Sequence, residues 1–366
     1  MAATALQSQF STRPISCFSF NADRSKVALS LNDPVIYIFK HTGAGKWAKT
    51  DELREHTGKV TGVSWAPKSN QIVSCGADRN AYVWKQNNEG VWKQVMVLIR
   101  VQRGAITVKW SPQENKFAIG TAARLISICY YEASNDWWVC KHIKKPIRSS
   151  VLSLSWHPNN ILLAAGTSDF KCRVFSTYLK EIEEKPAATS WGKKMSFANL
   201  MGEFGTGVGG WIHGCSFSDD GERLAFIGHD STVSFVQGGM ESSIATKTQF
   251  LPFTDCTWIS PNAVVAVGFD CNPMVFNLQG PGFFFSNKCD DSDKKSGGSV
   301  LSGRAMFQAM DRMASSTSSE TIKTKHKNTI LSVSRTADGF ATGGADGQII
   351  QWNVNALASK FSSMKL

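Results

Sequence analysis

The chain has no C-x-x-C pair, no Asn-x-Ser/Thr sequon and no apolar run approaching the ~18 residues that a membrane-spanning helix needs. Its nine cysteines are odd in number and scattered, at positions 17, 75, 129, 140, 172, 215, 256, 271 and 289. That distribution excludes a paired disulfide framework and offers no zinc-ligand spacing, so reduced, mostly buried thiols in a cytosolic protein are expected. The opening stretch, MAATALQSQFSTRP, has neither the basic start nor the apolar core of a signal peptide. An intracellular soluble chain is the expectation. H-E-x-x-H, P-loop and G-x-S-x-G motifs are all missing, and none of the seven histidines stands at a useful spacing from a nucleophile. No catalytic residue, cofactor or metal site is therefore predicted. Charged residues make up only 19% of the chain against 42% hydrophobic, which excludes bulk disorder. The 366 residues carry a net charge of +11. That charge is too dispersed to select nucleic acid, and the densest run, 141–148 beside Trp137 and Trp138, reads as a solvated loop or a face for an acidic protein.

What is present is a repeat. An apolar residue, a small residue, an apolar residue, a small or polar residue and an aromatic recur along the chain. The aromatic is Phe20, Trp65, Trp110, Trp156, Phe217 and Trp258, with Arg335 in its place in the seventh copy. Successive spacings are 45, 45, 46, 61, 41 and 77 residues, and the shorter ones match the period of a four-stranded propeller blade. Alternating apolar strands follow each copy around a Gly/Asp turn. The turn aspartate is Asp33, Asp78, Asp169, Asp230, Asp270 and Asp346, while the third copy has Ala123 instead.

Two copies carry a fuller set. His56, Ser74, Asp78 and Trp84 recur as His326, Thr342, Asp346 and Trp352, with the last three at identical offsets. Their chemistry suits a buried chain of hydrogen bonds joining carboxylate, imidazole, hydroxyl and indole, which fixes blade geometry because each unsatisfied buried group costs about 1–3 kcal/mol. These are the residue sets of WD-repeat propellers. The predicted fold is all-β, one seven-bladed WD-repeat β-propeller spanning 1–366, closed by Ala5–Gln9 as the outer strand of the last blade.

The long intervals mark two insertions, 180–210 between blades four and five and 287–325 between blades six and seven. The first ends Gly205-Thr206-Gly207-Val208-Gly209-Gly210, which satisfies G-x-G-x-x-G but opens no helix and follows no α/β unit, so it reads as a connector. The second has low-complexity ends, beginning at Asp290, that read as solvated linkers. Between them Met306, Phe307, Met310 and Met313 fall on one face of a short helix predicted near 302–314, with Ser302 as its N-cap. A helix tethered to a closed propeller has no core to join, so its apolar face is expected to meet a partner.

The strings 61–84 (TGVSWAPKSNQIVSCGADRNAYVW), 135–176 (NDWWVCKHIKKPIRSSVLSLSWHPNNILLAAGTSDFKCRVFS) and 180–197 resemble the WD-repeat subunit 1 family of the actin-related protein 2/3 complex. The resemblance covers essentially the whole chain. It implies a non-catalytic scaffold in an assembly that nucleates branched actin filaments, with the other subunits, the actin-related proteins and the actin filament as partners and nucleation-promoting activators binding nearby. It implies a place in the cytoplasm with the actin cytoskeleton. Carried over, the insertion helix would contact the mother filament through Met306, Phe307, Met310 and Met313, with Arg304 and Arg312 at the rim. The alternative is a WD-repeat substrate receptor of a ubiquitin ligase. Such receptors carry Trp-Asp-x-Arg at a blade end, whereas Trp84 is followed by Lys85-Gln86-Asn87 and Trp352 by Asn353-Val354.

Overall fold

The computed structural model describes residues 5–43, 45–280, 282–290 and 324–360. Within them the chain forms seven four-stranded antiparallel sheets arranged as a β-propeller. Six blades are consecutive meanders. In blade two, Val60–Trp65 is innermost, followed outwards by Ile72–Gly76, Ala81–Gln86 and Trp92–Val97. The seventh joins both regions of the chain. Ala5–Gln9 pairs antiparallel with Gln348–Asn353, so Ala5 faces Trp352 and Gln9 faces Gln348. Ring closure therefore follows the expected route.

The second strand of each blade explains the composition. Ile72–Gly76, Leu162–Thr167 and Ala263–Gly268 are buried at every position. Each lies mid-blade with a neighbouring sheet on both faces, so it reads as a continuous small or β-branched run rather than an alternating one. The core is correspondingly divided. One apolar cluster fills each of the seven interfaces between adjacent blades, from Val73, Val83, Phe117 and Trp138 between blades two and three to Ile15, Phe18, Leu29 and Ile349 between blades seven and one. Every blade thus depends on both neighbours.

The small polar residue before the aromatic has a defined task. Ser19 Oγ accepts the Trp65 N–H at 2.9 Å, Ser64 Oγ the Trp110 N–H at 3.2 Å, and Ser155 Oγ the Phe217 N–H at 3.0 Å. Each hydroxyl fastens one inner strand to the next blade, and a larger apolar residue would leave that N–H unsatisfied. Between blades six and seven a carboxylate takes over, Asp255 Oδ2 accepting the Val333 N–H at 2.9 Å.

Within 180–210, Leu200–Phe204 forms the outer strand of blade four. Likewise Gly282–Lys288 is the outer strand of blade six. After blade seven a short helix, Val354–Lys360, folds Val354 and Leu357 into the cluster between blades six and seven. Asn353 caps it, its Oδ1 accepting the Ala356 N–H at 2.9 Å.

Candidate functional site

The two repeated sets each meet in space. In blade two, Asp78 Oδ2 lies 2.9 Å from His56 Nδ1, His56 Nε2 lies 2.9 Å from Ser74 Oγ, and Trp84 Nε1 donates to the same oxygen at 2.9 Å. In blade seven, Asp346 Oδ2 is 3.1 Å from His326 Nδ1, His326 Nε2 is 2.8 Å from Thr342 Oγ1, and Trp352 Nε1 donates to Thr342 at 2.9 Å. In both sets the indole N–H donates to the hydroxyl oxygen. In blade two burial favours the neutral imidazole, and with Nδ1–H donating to Asp78 the Ser74 hydroxyl donates to bare Nε2 of His56. Burial pushes the His56 pKa down despite the pull of Asp78. Burial alone would raise the Asp78 carboxyl, but His56 and the N–H groups of Thr57 and Asn80 outweigh it and hold it below its ordinary value. This arrangement is architectural.

Two contributors were not read from the sequence. Gly76 and Gly344 stand two residues before the aspartates, and a Cβ on Gly76 would lie 2.7 Å from Asp78 Oδ1 and 2.8 Å from His56 Nδ1. Only glycine leaves room for the carboxylate–imidazole contact. The turn aspartate also fastens the loop that enters its blade: Asp78 accepts the Thr57 N–H, Asp169 that of Arg148, Asp270 that of Leu251 and Asp346 that of Lys327, at 2.8–3.2 Å. In blade five Thr206 Oγ1 donates to Asp230 at 2.7 Å, which gives the glycine-rich stretch 205–210 a structural role at the entrance to blade five. Where Ala123 replaces the aspartate, Thr121 Oγ1 accepts the Ala123 N–H at 3.2 Å.

The inner strands enclose an axial channel of about 460 Å³. It is lined largely by small residues, with Lys109, His213, Asp255 and Arg335 as the ionisable exceptions besides the thiols. Among the described residues Asp255 is its one carboxylate, pushed up to about 6 by burial and already accepting the Val333 and Cys256 N–H groups at 2.9 Å. Among the described residues no three His, Cys, Asp or Glu side chains gather to hold a metal ion. All nine cysteines are free, and burial pushes the Cys17 and Cys75 thiols up to about 12. The basic run beside Trp137 is partly committed inside the molecule, with Lys141 Nζ 2.8 Å from Glu181 and His142 Nε2 donating to the Ile99 carbonyl at 3.0 Å.

Arg304, Met306, Phe307, Met310, Arg312 and Met313 lie outside the described residues. The attachment of their segment is described. Asp290 and Asn272 exchange two hydrogen bonds, Asn272 Nδ2 donating to the Asp290 carbonyl at 3.1 Å and the Asp290 N–H to Asn272 Oδ1 at 3.0 Å. Lys325 Nζ lies 2.8 Å from Asp290 Oδ1, next to His326 of the blade-seven network. Asp290 was expected in a solvated linker, yet it is buried. Its charge misled, because composition does not reveal that Asn272 and Lys325 converge on it. Both ends of the insertion are thus clamped to the loop face between blades six and seven.

With this geometry in view, likenesses to known proteins gain meaning. A profile described as "WD domain, G-beta repeat" matches residues 47–85, and one described as "Anaphase-promoting complex subunit 4 WD40 domain" matches 108–199. The chain is 48% identical to "Actin-related protein 2/3 complex subunit 1A-A" of Xenopus laevis over 98% of its own length and 99% of that protein. It is 36% identical to "Actin-related protein 2/3 complex subunit 1" of Schizosaccharomyces pombe, covering 92% of this chain and 96% of that one. A third relative, "Actin-related protein 2/3 complex subunit 1B" of Arabidopsis thaliana, is 36% identical, covering 95% of this chain and 96% of that one.

Proposed function

The chain belongs to the subunit 1 family of the actin-related protein 2/3 complex, and from that membership we propose that it is a non-catalytic scaffold subunit supporting branched actin nucleation. The carrying observation is the likeness to proteins of that name along nearly the whole chain. The propeller supplies a rigid body whose blades support one another through seven apolar interfaces. The insertion leaves and rejoins it at Asp290 and Lys325, which are bonded to each other and, through Asp290, to Asn272. Its predicted apolar face, Met306, Phe307, Met310 and Met313, meets the side of a pre-existing filament, with Arg304 and Arg312 facing acidic actin at the rim. The other subunits, including the actin-related proteins, hold the propeller, activators bind nearby, and the protein acts in the cytoplasm with the actin cytoskeleton.

Affinity purification of the tagged chain from its own cells, followed by mass spectrometry of stoichiometric partners, tests the assembly. Recovery of two actin-related proteins with several small subunits is the expected result, and recovery of a cullin adaptor or of nothing overturns it. Deletion of 302–313 tests the filament contact. The shortened protein should enter the complex and form few branches in a pyrene-actin and microscopy assay, whereas normal branching would remove the insertion from the mechanism.

A further inference from the structure

The outer strand of blade two, Trp92–Val97, is an open sheet edge of unusual character. Val91, Val95, Met96 and Leu98 are each between 41% and 54% exposed. Lys93 is the strand's one charged residue, and it lies directly opposite Lys85 on the adjacent strand. Like charges placed opposite one another destabilise a pair of strands. Neither lysine has a carboxylate within ion-pair reach among the described residues, and Lys85 Nζ rests 5.3 Å from the Tyr131 ring instead.

The other blades treat this position differently. Lys46–Leu53 carries four charged residues, Ala5–Gln9 is polar apart from Leu6 and Ala5, and Ile244–Lys247 is only four residues long. Leu200–Phe204 holds Glu203 against Arg173 at 2.7 Å, and Gly282–Lys288, although it exposes Phe284 and Phe285, packs against Ile244–Lys247 of the neighbouring blade. Trp137–Ile143 buries both Trp138 and Ile143. A long apolar edge is a hazard that soluble proteins blunt or cover, and among the described residues nothing covers that of blade two.

We propose that this edge receives an extended segment of a partner subunit as a fifth strand of blade two. The main-chain groups that point away from the sheet supply the hydrogen bonds, and alternate side chains supply selectivity. One face of the edge presents Lys93 and Val95 and the other Gln94 and Met96, so the incoming strand carries an acidic residue at the level of Lys93 and Lys85, with apolar residues beside Val95 and Met96. That acid relieves the repulsion between the two lysines. The inference deepens the assembly reading and rests on it for the source of the strand.

Hydrogen exchange of the full-length chain, alone and in the assembly purified from its own cells, tests it. Amides of 92–97 should exchange at least about tenfold more slowly in the assembly. The double substitution Val95→Lys/Met96→Lys should release one subunit while leaving the urea midpoint of the isolated chain unchanged, and Lys93→Glu should weaken that subunit's binding about tenfold. Equal exchange in both states, a full complement of subunits on the double variant, or concentration-dependent protection in the isolated chain through pairing of two copies each overturns the proposal. If wild-type protein recovers no subunits, the assembly reading fails and the fifth strand falls with it. If the complex forms while 92–97 exchanges freely, the fifth strand alone fails.

Discussion

Ser74 Oγ receives the Trp84 indole and donates to His56, so one hydroxyl satisfies two buried nitrogens. Ser74→Ala leaves both without a partner and should lower the unfolding free energy by about 1–3 kcal/mol at constant denaturant slope. Thr342→Ala does the same in blade seven. The two sites share no partner, so the double variant should show additive loss in urea titrations. Gly76→Ala is a sharper probe, because the new methyl would strike Asp78 and His56. A loss of about 1–3 kcal/mol is expected, and an unchanged midpoint would mean that the turn yields freely. The carboxylate, imidazole, hydroxyl and indole were legible in the sequence because their spacing repeats between the two copies. The glycine's role was not, since the clash it avoids exists only once the turn has folded back on the histidine.

Elements show the same division. The strand order within each blade follows from local meanders, and a segment at the start of the chain was expected to complete the last blade because a ring needs closure. Deleting residues 1–9 strips Gln348–Asn353 of its outer neighbour and removes Ser8, whose Oγ accepts the Trp47 indole N–H of blade one at 3.2 Å. The truncated protein should lose at least about 2 kcal/mol and tend to associate through the bared edge, as read by denaturation and light scattering. A monomer of unchanged stability would show that the closing strand is dispensable. The outer strands of blades four and six could not be separated from the insertions that adjoin them. Leu200–Phe204 pairs with Cys172–Ser176 across the intervening insertion. Gly282–Lys288, which pairs through a short turn with Met274–Gln279, runs into the start of the second insertion, and neither strand carries a repeat signature.

For the whole molecule, acid stability follows from the buried histidines. Burial lowers the pKa of His56, His157 and His213 below the ordinary 6.5. Below that value the unfolded chain binds more protons than the native one, so stability falls as pH drops from about 7.5 towards 6. Asp255 acts in the opposite sense. Burial raises it to about 6, so the folded state binds its proton first and gains stability as pH falls from 6 towards 3.8. Thermal midpoints should therefore decline from pH 7.5 to 6 and decline less steeply below, and Asp255→Asn should abolish that relief. A flat profile between 7.5 and 6 would contradict the neutral imidazoles. The sequence by itself determined the number of blades, their period and the residues that meet in the two buried networks, because all of these repeat or are local, and the closing strand, because a ring of meanders needs one. Tertiary structure alone decided that hydroxyls before the aromatics join neighbouring blades, that Asp290 is buried between Asn272 and Lys325, and that blade two keeps an open apolar edge. Those properties depend on which surfaces the closed ring brings together and which it leaves facing water.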